Sequence, residues 1–258
     1  MTEPARSTIP GDAEQRERDF WDHHIPSLEE AVGLYLSAID VQTRTLLDRL
    51  EPLAGQRVLD YACGAGVLSA LLAARGARVV GVDISPASIT RADELAQALG
   101  LDIEFRVTEL DVAPCSGNEV FDVVVGRFAL HHLDLDRYLP LLAGALRSGG
   151  RAGFIETMAT NPLLKFARQH VVGRFGVKRL GTTDEHPLTR ADIRHLQRHF
   201  GPVEVVVPQV DFLRLASRHG VGGHPSLDRA SQVADGWLGR WPRLGFLSYH
   251  QLLLTTKP

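Results

Sequence analysis

The run at 57–83, RVLDYACGAGVLSALLAARGARVVGVD, constrains this chain more than any other segment. An apolar opening, two closely spaced glycines, a helical stretch and a second apolar run ending on an acid give the pattern strand, tight turn, helix, strand. Gly64 and Gly66 supply a turn in which no Cβ blocks the approach of a ligand to the backbone. Residues 67–75 read as the helix, and Gly76 stands where a C-terminal cap belongs. Residues 79–82 form a second buried strand with Asp83 at its tip, about where a ribose-binding acid sits in such a unit. The segment predicts half of a mononucleotide-binding unit and a ligand that carries adenosine.

The rest of the chain fits one α/β domain with insertions: 258 residues can bury a full core, and 44% hydrophobic with 23% charged residues is ordinary for a globular protein. A net charge of −3 gives no global field toward nucleic acid or a membrane surface. The two cysteines, Cys63 and Cys115, have no metal-ligand spacing, so neither a zinc site nor a structural disulfide is expected. The polar N-terminus has no signal-peptide core, and no apolar run approaches the roughly 18 residues of a membrane span. The expected location is the cytoplasm.

Along the chain, residues 1–18 read as a loosely docked arm, and Ser27 to Glu30 as a capping box that starts a helix. A second helix covers 41–50. These helices precede the nucleotide unit as a cover over its cleft, which makes 1–50 an arm and cover and 51–258 the ligand-binding domain. After Asp83, Ser85 and Pro86 offer an N-cap and first-turn proline for a helix that Gly100 stops. Strands are expected at 103–107, 121–125 and 152–155, with an amphipathic helix at 135–146 ending on Ser148, Gly149 and Gly150. A helix opened by a second capping box at Thr189, a strand at 203–207 and a last strand at 246–254 complete the pattern. The alternation argues for a doubly wound, mostly parallel sheet. Two stretches break the rhythm, 157–187 and 215–242, and read as insertions that form a lid.

Three pieces of this sequence resemble the class I methyltransferases that use S-adenosylmethionine (SAM). VLDYACGAG is similar to that family's first motif, VVGVDIS to its second, and FDVVVGRFALHHL at 121–133 to its fourth-strand signature. The resemblance spans about 55–160. It implies a seven-stranded Rossmann-like sheet with the last strand antiparallel, SAM as cofactor and S-adenosylhomocysteine as product. It further implies that Asp60 and the backbone of Ala62, Gly64 and Gly66 meet the methionine portion, and that Asp83, followed by Ile84, takes the ribose. Glu109 and Leu110 fall beside the adenine, with Asp111 competing, and Gly126 and Arg127 beside the sulfonium. Arg127 is unusual there and is a contact for the SAM carboxylate or an acidic substrate.

The remaining candidates come from the residues themselves. His131 and His132 invite a metal or a base, but adjacent side chains point in different directions and cannot easily share one ion, so no metal site is expected. A neutral histidine near the cleft has the right proton affinity to act as a general base. Glu156 ends the fifth strand, where groups facing the cleft gather, and is either a third catalytic candidate or a solvated acid. The first insertion carries Arg168 and Arg174 among other basic residues and no acid between 157 and 183, which suits an acidic group on the substrate. Trp21 and Tyr35 on the helical cover are candidate pocket residues.

The expected reaction is methyl transfer to an oxygen, nitrogen or carbon of a small-molecule acceptor of the natural-product kind. The rival readings are a SAM-binding protein that does not methylate and a nicotinamide-dependent oxidoreductase. The latter normally wants G-x-G-x-x-G, and Ser69 stands at the third glycine position. No aromatic and basic surface pattern points to nucleic acid. The sequence leaves monomer or homodimer open.

Overall fold

Apolar runs that alternate with amphipathic helices can bury both faces only by forming a sheet between two helical layers. A computed structural model of the chain describes residues 10–37, 40–108, 120–170, 186–220 and 225–258. Three helices come first: α1 (Pro10–His23), α2 (Leu28–Ser37) and α3 (Val41–Arg49). The nucleotide unit follows as β1 (Arg57–Tyr61), α4 (Val67–Ala73), β2 (Arg78–Asp83), α5 (Pro86–Leu99) and β3 (Glu104–Val107). Next come β4 (Phe121–Arg127), α6 (Leu135–Ala145), β5 (Leu146–Thr157) and α7 (Pro162–His170). The chain closes with α8 (Arg190–Phe200), β6 (Val203–Val206), α9 (Phe212–Gly220), α10 (Pro225–Leu238) and β7 (His250–Thr256).

The strands form one seven-stranded sheet in the order β3-β2-β1-β4-β5-β7-β6, in which β7 runs against both β5 and β6. This is the expected doubly wound sheet with its last strand reversed. Side chains alternate between the faces of each strand. On one face Val58, Val123, Val125, Ile155 and Leu252 pack under Leu46 and Leu47 of α3 and Leu71 and Leu72 of α4. On the other, Leu59, Val124, Phe154 and Leu253 meet Leu139 and Leu142 of α6 and Leu196 and Phe200 of α8. Each such aliphatic side chain contributes about 1.5–3 kcal/mol by leaving water.

The caps sit where the sequence places them. Ser27 Oγ accepts the Glu30 N–H while the Glu30 carboxylate accepts the Ser27 N–H, at 3.2 and 2.7 Å. Thr189 and Asp192 repeat this at α8, and Ser85 caps α5, which ends at Gly100 with φ +65°.

Other expectations need correcting. The N-terminal arm is helical from Pro10 onward. It is held by side-chain contacts that no local pattern announces. The 135–146 helix stops at Ala145, and β5 starts at once, so Ser148 to Gly150 belong to a strand. The register there jumps from Phe121 opposite Leu146 to Val123 opposite Arg151, a bulge that Gly149 accommodates at φ +71°. The last strand begins at His250, because Pro242–Leu247 closes into a 3₁₀ turn. The irregular second insertion holds two packed helices, α9 and α10.

Candidate active site

The glycine turn between β1 and α4 folds back through Ala62, Gly64 and Gly66, with φ of 56°, 52° and 76°. The two glycines do different work. A Cβ on Gly66 would lie 2.8 Å from Ala92 Cβ and 3.0 Å from the Phe105 ring, so this glycine lets α4 pack closely. A Cβ on Gly64 would meet nothing within 4 Å, which leaves that side of the turn open toward a ligand.

Asp83, at the tip of β2, faces this turn. Its Oδ2 accepts the Gly64 N–H at 2.8 Å and its Oδ1 the Ser85 N–H at 2.9 Å. Burial pushes this carboxyl above its ordinary range, against the lowering effect of the backbone bonds. A carboxylate offers about four acceptor sites, more than these backbone bonds fill, which fits further hydrogen bonds from a vicinal diol. Ile84 is buried beside it.

Asp60 lies near the end of β1, 1% exposed, and accepts the Ser69 hydroxyl at 2.6 Å. Burial pushes its carboxyl up to about 7, with Asp83 adding to the rise and the Ser69 bond and Arg127 opposing it. A buried acid so poised favours a cationic ligand group beside it. Burial also pushes the Cys63 thiol up, which keeps it an unreactive packing group.

The chain leaving β4 carries Arg127 and then Phe128, whose φ of 58° is rare for a bulky residue. Such strain persists only where surroundings enforce it. Here the Phe128 N–H donates to Ile155 O at 2.8 Å. Arg127 Nη2 lies 2.8 Å from Asp40 Oδ2, and Asp40 Oδ1 accepts the Thr43 N–H as the N-cap of α3.

Glu156 on β5 is fully buried. Its Oε1 accepts the Ala129 and Leu130 N–H groups at 3.0 and 2.8 Å, and its Oε2 lies 2.8 Å from His131 Nδ1. The carboxylate therefore holds the 3₁₀ turn Leu130–His132 and orients its first histidine. His132 turns to α1 instead, with Nδ1 3.2 Å from Glu17 Oε2, an oxygen that also accepts Trp21 Nε1–H at 3.0 Å. The two imidazoles lie closer than expected, with centroids 4.1 Å apart, although their Nδ1 atoms face different carboxylates. Among the described residues no cluster of His, Cys, Asp and Glu suits a metal.

The cover is anchored by carboxylates. Besides Glu17, Asp22 accepts the hydroxyl of Ser85, and Glu14 accepts from Tyr138 Oη at 2.6 Å and Arg137 Nη1 at 3.2 Å. Helix α1 thus spans from the loop after β2 to α6. Tyr35 of α2 packs partly buried against the cluster under α3 and α4.

Sequence reasoning missed one group entirely. Asp211 bonds His250 Nδ1 and accepts the Ser248 hydroxyl and the Tyr249 N–H at 2.8 and 2.7 Å. Although burial opposes it, the His250 partnership and these bonds hold its carboxyl below the usual range. The antiparallel course of β7 delivers His250 to the edge where the parallel strands end, opposite Thr157. Only the reversed strand could have signalled this. Glu109, Leu110, Asp111, Cys115 and Arg174, and the side chain of Arg168, lie outside the described residues.

A family model described as a methyltransferase domain matches residues 58–150. A ubiquinone biosynthesis O-methyltransferase of Rhizobium rhizogenes is 36% identical over 189 residues, covering 71% of this chain and 70% of that protein. One of the same name from a Methylobacterium species is 35% identical over 48% of this chain, and the chain spans about half of that relative, 51%. The solved structure of a geranyl diphosphate methyltransferase in complex with GPP and sinefungin aligns over 96% of this chain and all of its own, with a TM-score of 0.66 at 17% identity. At that identity the likeness is one of fold.

Proposed function

The chain belongs to the SAM-dependent methyltransferases, and on that premise we propose that it transfers the methyl group of SAM to an oxygen of a small-molecule acceptor. The observation that carries this reading is Asp83: the Gly64 and Ser85 N–H groups fix it beside a glycine turn whose Gly64 side is open. Asp60 supplies an acid for the donor's amine, and the Ala62, Gly64 and Gly66 backbone lies against its methionine portion. Glu109 and Leu110 take the adenine side, and Gly126 and Arg127 the sulfonium side.

SAM when bound supplies an electrophilic methyl group, so the protein's work is positioning, exclusion of water and proton removal. Glu156 fixes the proton on His131 Nδ1, which leaves Nε2 as the acceptor. When a hydroxyl is methylated, its proton goes to that nitrogen. Helix α1, tied to His132, Ser85 and Tyr138, shuts water out. The names of the curated relatives support oxygen as the acceptor atom, and the basic first insertion supports an acidic acceptor. Ser69, its hydroxyl committed to Asp60, stands where a dinucleotide turn needs glycine, which argues against a nicotinamide enzyme.

Calorimetry with S-adenosylhomocysteine tests the reading directly. Saturable binding that Asp83→Ala abolishes is the expected result, and no binding to the wild-type chain would sink the proposal. A methylated product from candidate phenols, detected by mass spectrometry, separates an enzyme from a silent binder.

A further inference from the structure

Helix α8 is held to the sheet by Leu196 and Phe200, which are buried in the core on the α6 side. Its outer face carries Arg190, Arg194 and Arg198, all exposed, with Ala191 and Gln197 as the other exposed residues of the helix. Four residues advance about 6 Å along a helix, so the three arginines form a stripe about 12 Å long within less than a quarter turn. Among the described residues none of the three meets a carboxylate, and the bond of Arg194 Nε to Arg190 O at 3.4 Å stays within the helix. Asp192, the one acid of α8, is spent on the cap, where it accepts the Thr189 N–H and hydroxyl at 2.8 and 2.7 Å. Asp136, across on α6, lies 3.4 Å from His195 Nε2 instead.

Helix stability does not account for this stripe. Like charges four residues apart repel, and Arg190 stands in the first turn, where the helix dipole disfavours a cation. Its field is felt nearby: burial first, and then His195 and Arg198, push the His199 imidazole below its ordinary range. A local concentration of cations on a chain of net charge −3 fits an anionic partner. The rest of the face selects among such partners. A lipid surface wants large apolar side chains beside the cations, and single-stranded nucleic acid wants aromatic ones. Helix α8 exposes neither.

We propose that α8 is a docking surface for an acidic helix of a partner protein, with Arg190, Arg194 and Arg198 each facing a carboxylate at positions i, i+4 and i+8. Carboxylates four residues apart on a helix repeat at the same interval of about 6 Å, and guanidinium forks engage them bidentately. The stripe begins at the cleft. Leu188, two residues before Arg190, donates to Thr157 O and accepts the Ala159 N–H, both at 2.8 Å, past the end of β5. A partner lying along α8 therefore has one end at the mouth of the proposed active site. The inference stands independently of the methyl-transfer reading.

The test uses the full chain and a fluorescein-labelled, helix-stapled peptide bearing Glu at i, i+4 and i+8, read by anisotropy. A control peptide of the same composition spreads its Glu residues around the helix. The aligned peptide is expected to bind about tenfold or more tightly than the control, and to weaken steeply as salt is raised. Arg194→Glu is expected to weaken it about tenfold or more while the melting temperature stays level or rises, since the variant replaces two like-charge neighbours by opposite ones. Arg229→Glu, exposed on α10, should leave binding unchanged. A chain with Arg190→Glu, Arg194→Glu and Arg198→Glu together should prefer the peptide in which Lys replaces each Glu. The proposal falls if the aligned peptide does not bind, if both peptides bind equally, if Arg229→Glu weakens binding as much as Arg194→Glu, or if the charge-reversed chain does not take the Lys peptide. It falls equally if Arg194→Glu loses binding together with melting temperature, which would make the residue structural. Tighter binding of duplex RNA or phosphatidylglycerol vesicles to the stripe would overturn it in favour of nucleic acid or membrane.

Discussion

Glu156 and His131 form a buried pair in which one carboxylate serves two ends: Oε2 lies 2.8 Å from the imidazole Nδ1 while Oε1 receives the Ala129 and Leu130 N–H groups. The same side chain thus shapes the turn and sets the tautomer of the histidine in it. A substitution can separate these roles, because glutamine keeps an oxygen for the turn but presents an amide to the imidazole.

Glu156→Gln is therefore expected to fold and to bind S-adenosylhomocysteine like wild type, with kcat lower by roughly 10²-fold or more, the worth of a general base. Rapid-quench turnover beside a calorimetric titration measures both. Unchanged kcat would remove His131 from the proton path.

Asp83→Asn keeps the shape of the β2 tip but loses the charge that two N–H donors share and that the proposed ribose contact needs. Hydrogen bonds to a charged group are worth about 1.5–3 kcal/mol each. Affinity for S-adenosylhomocysteine should fall by roughly 10–100-fold, with little change in the far-ultraviolet dichroism spectrum.

The Asp60 carboxyl is pushed up to about 7, and in the proposed placement beside the donor's amine this links cofactor affinity to pH. A cationic amine binds beside it only when the carboxyl has lost its proton, so affinity weakens as pH falls below about 7. Titrations at pH 7.5 and pH 6 should differ by roughly fivefold to tenfold, and Asp60→Asn should flatten the dependence. The sign for stability runs the other way. The folded chain retains a proton that the unfolded chain has already released, so stability declines as pH rises from the ordinary carboxylate range through about 7.

Gly81 lies in mid-β2, where an added Cβ would come within 2.6 Å of the Phe105 ring and 3.1 Å of Cys63 Sγ. Gly81→Ala should cost about 1–3 kcal/mol, as overpacking does. Urea denaturation reads this as a lower midpoint. Gly33→Ala on α2, with open space around it, is the matched control.

The sheet, the caps and the glycine turn were readable because each follows from local chemistry. A Ser or Thr three residues before an acid, a proline in a first turn and an apolar run that ends on an acid signal their structures within a few residues. Groups joined by tertiary contact were not readable. Asp40 and Arg127 are 87 residues apart and Asp211 and His250 are 39 apart, and nothing local to either partner announces the other. The hidden strand content of Ser148, Gly149 and Gly150 has the same origin. Glycines that read as a helix stop are drawn into β5 because Lys257, just past β7, accepts the Gly149 N–H and donates to Gly150 O, both at 2.9 Å. Helix α1 is likewise tied by Glu14 to Tyr138 and Arg137 of α6, more than 120 residues away in sequence.

The position of β7 between β5 and β6 also bears on how the protein comes into being. Its two sheet neighbours are synthesised earlier, yet they join one sheet only when β7 slides between them. Until then β5 presents an unpaired edge, and β6 has no strand to pair with. His250 arrives with that closing strand, so its bond to Asp211 forms only as the sheet itself is sealed. A chain halted short of β7 would hold the glycine turn and the strands up to β5, with an open edge for a chaperone to guard.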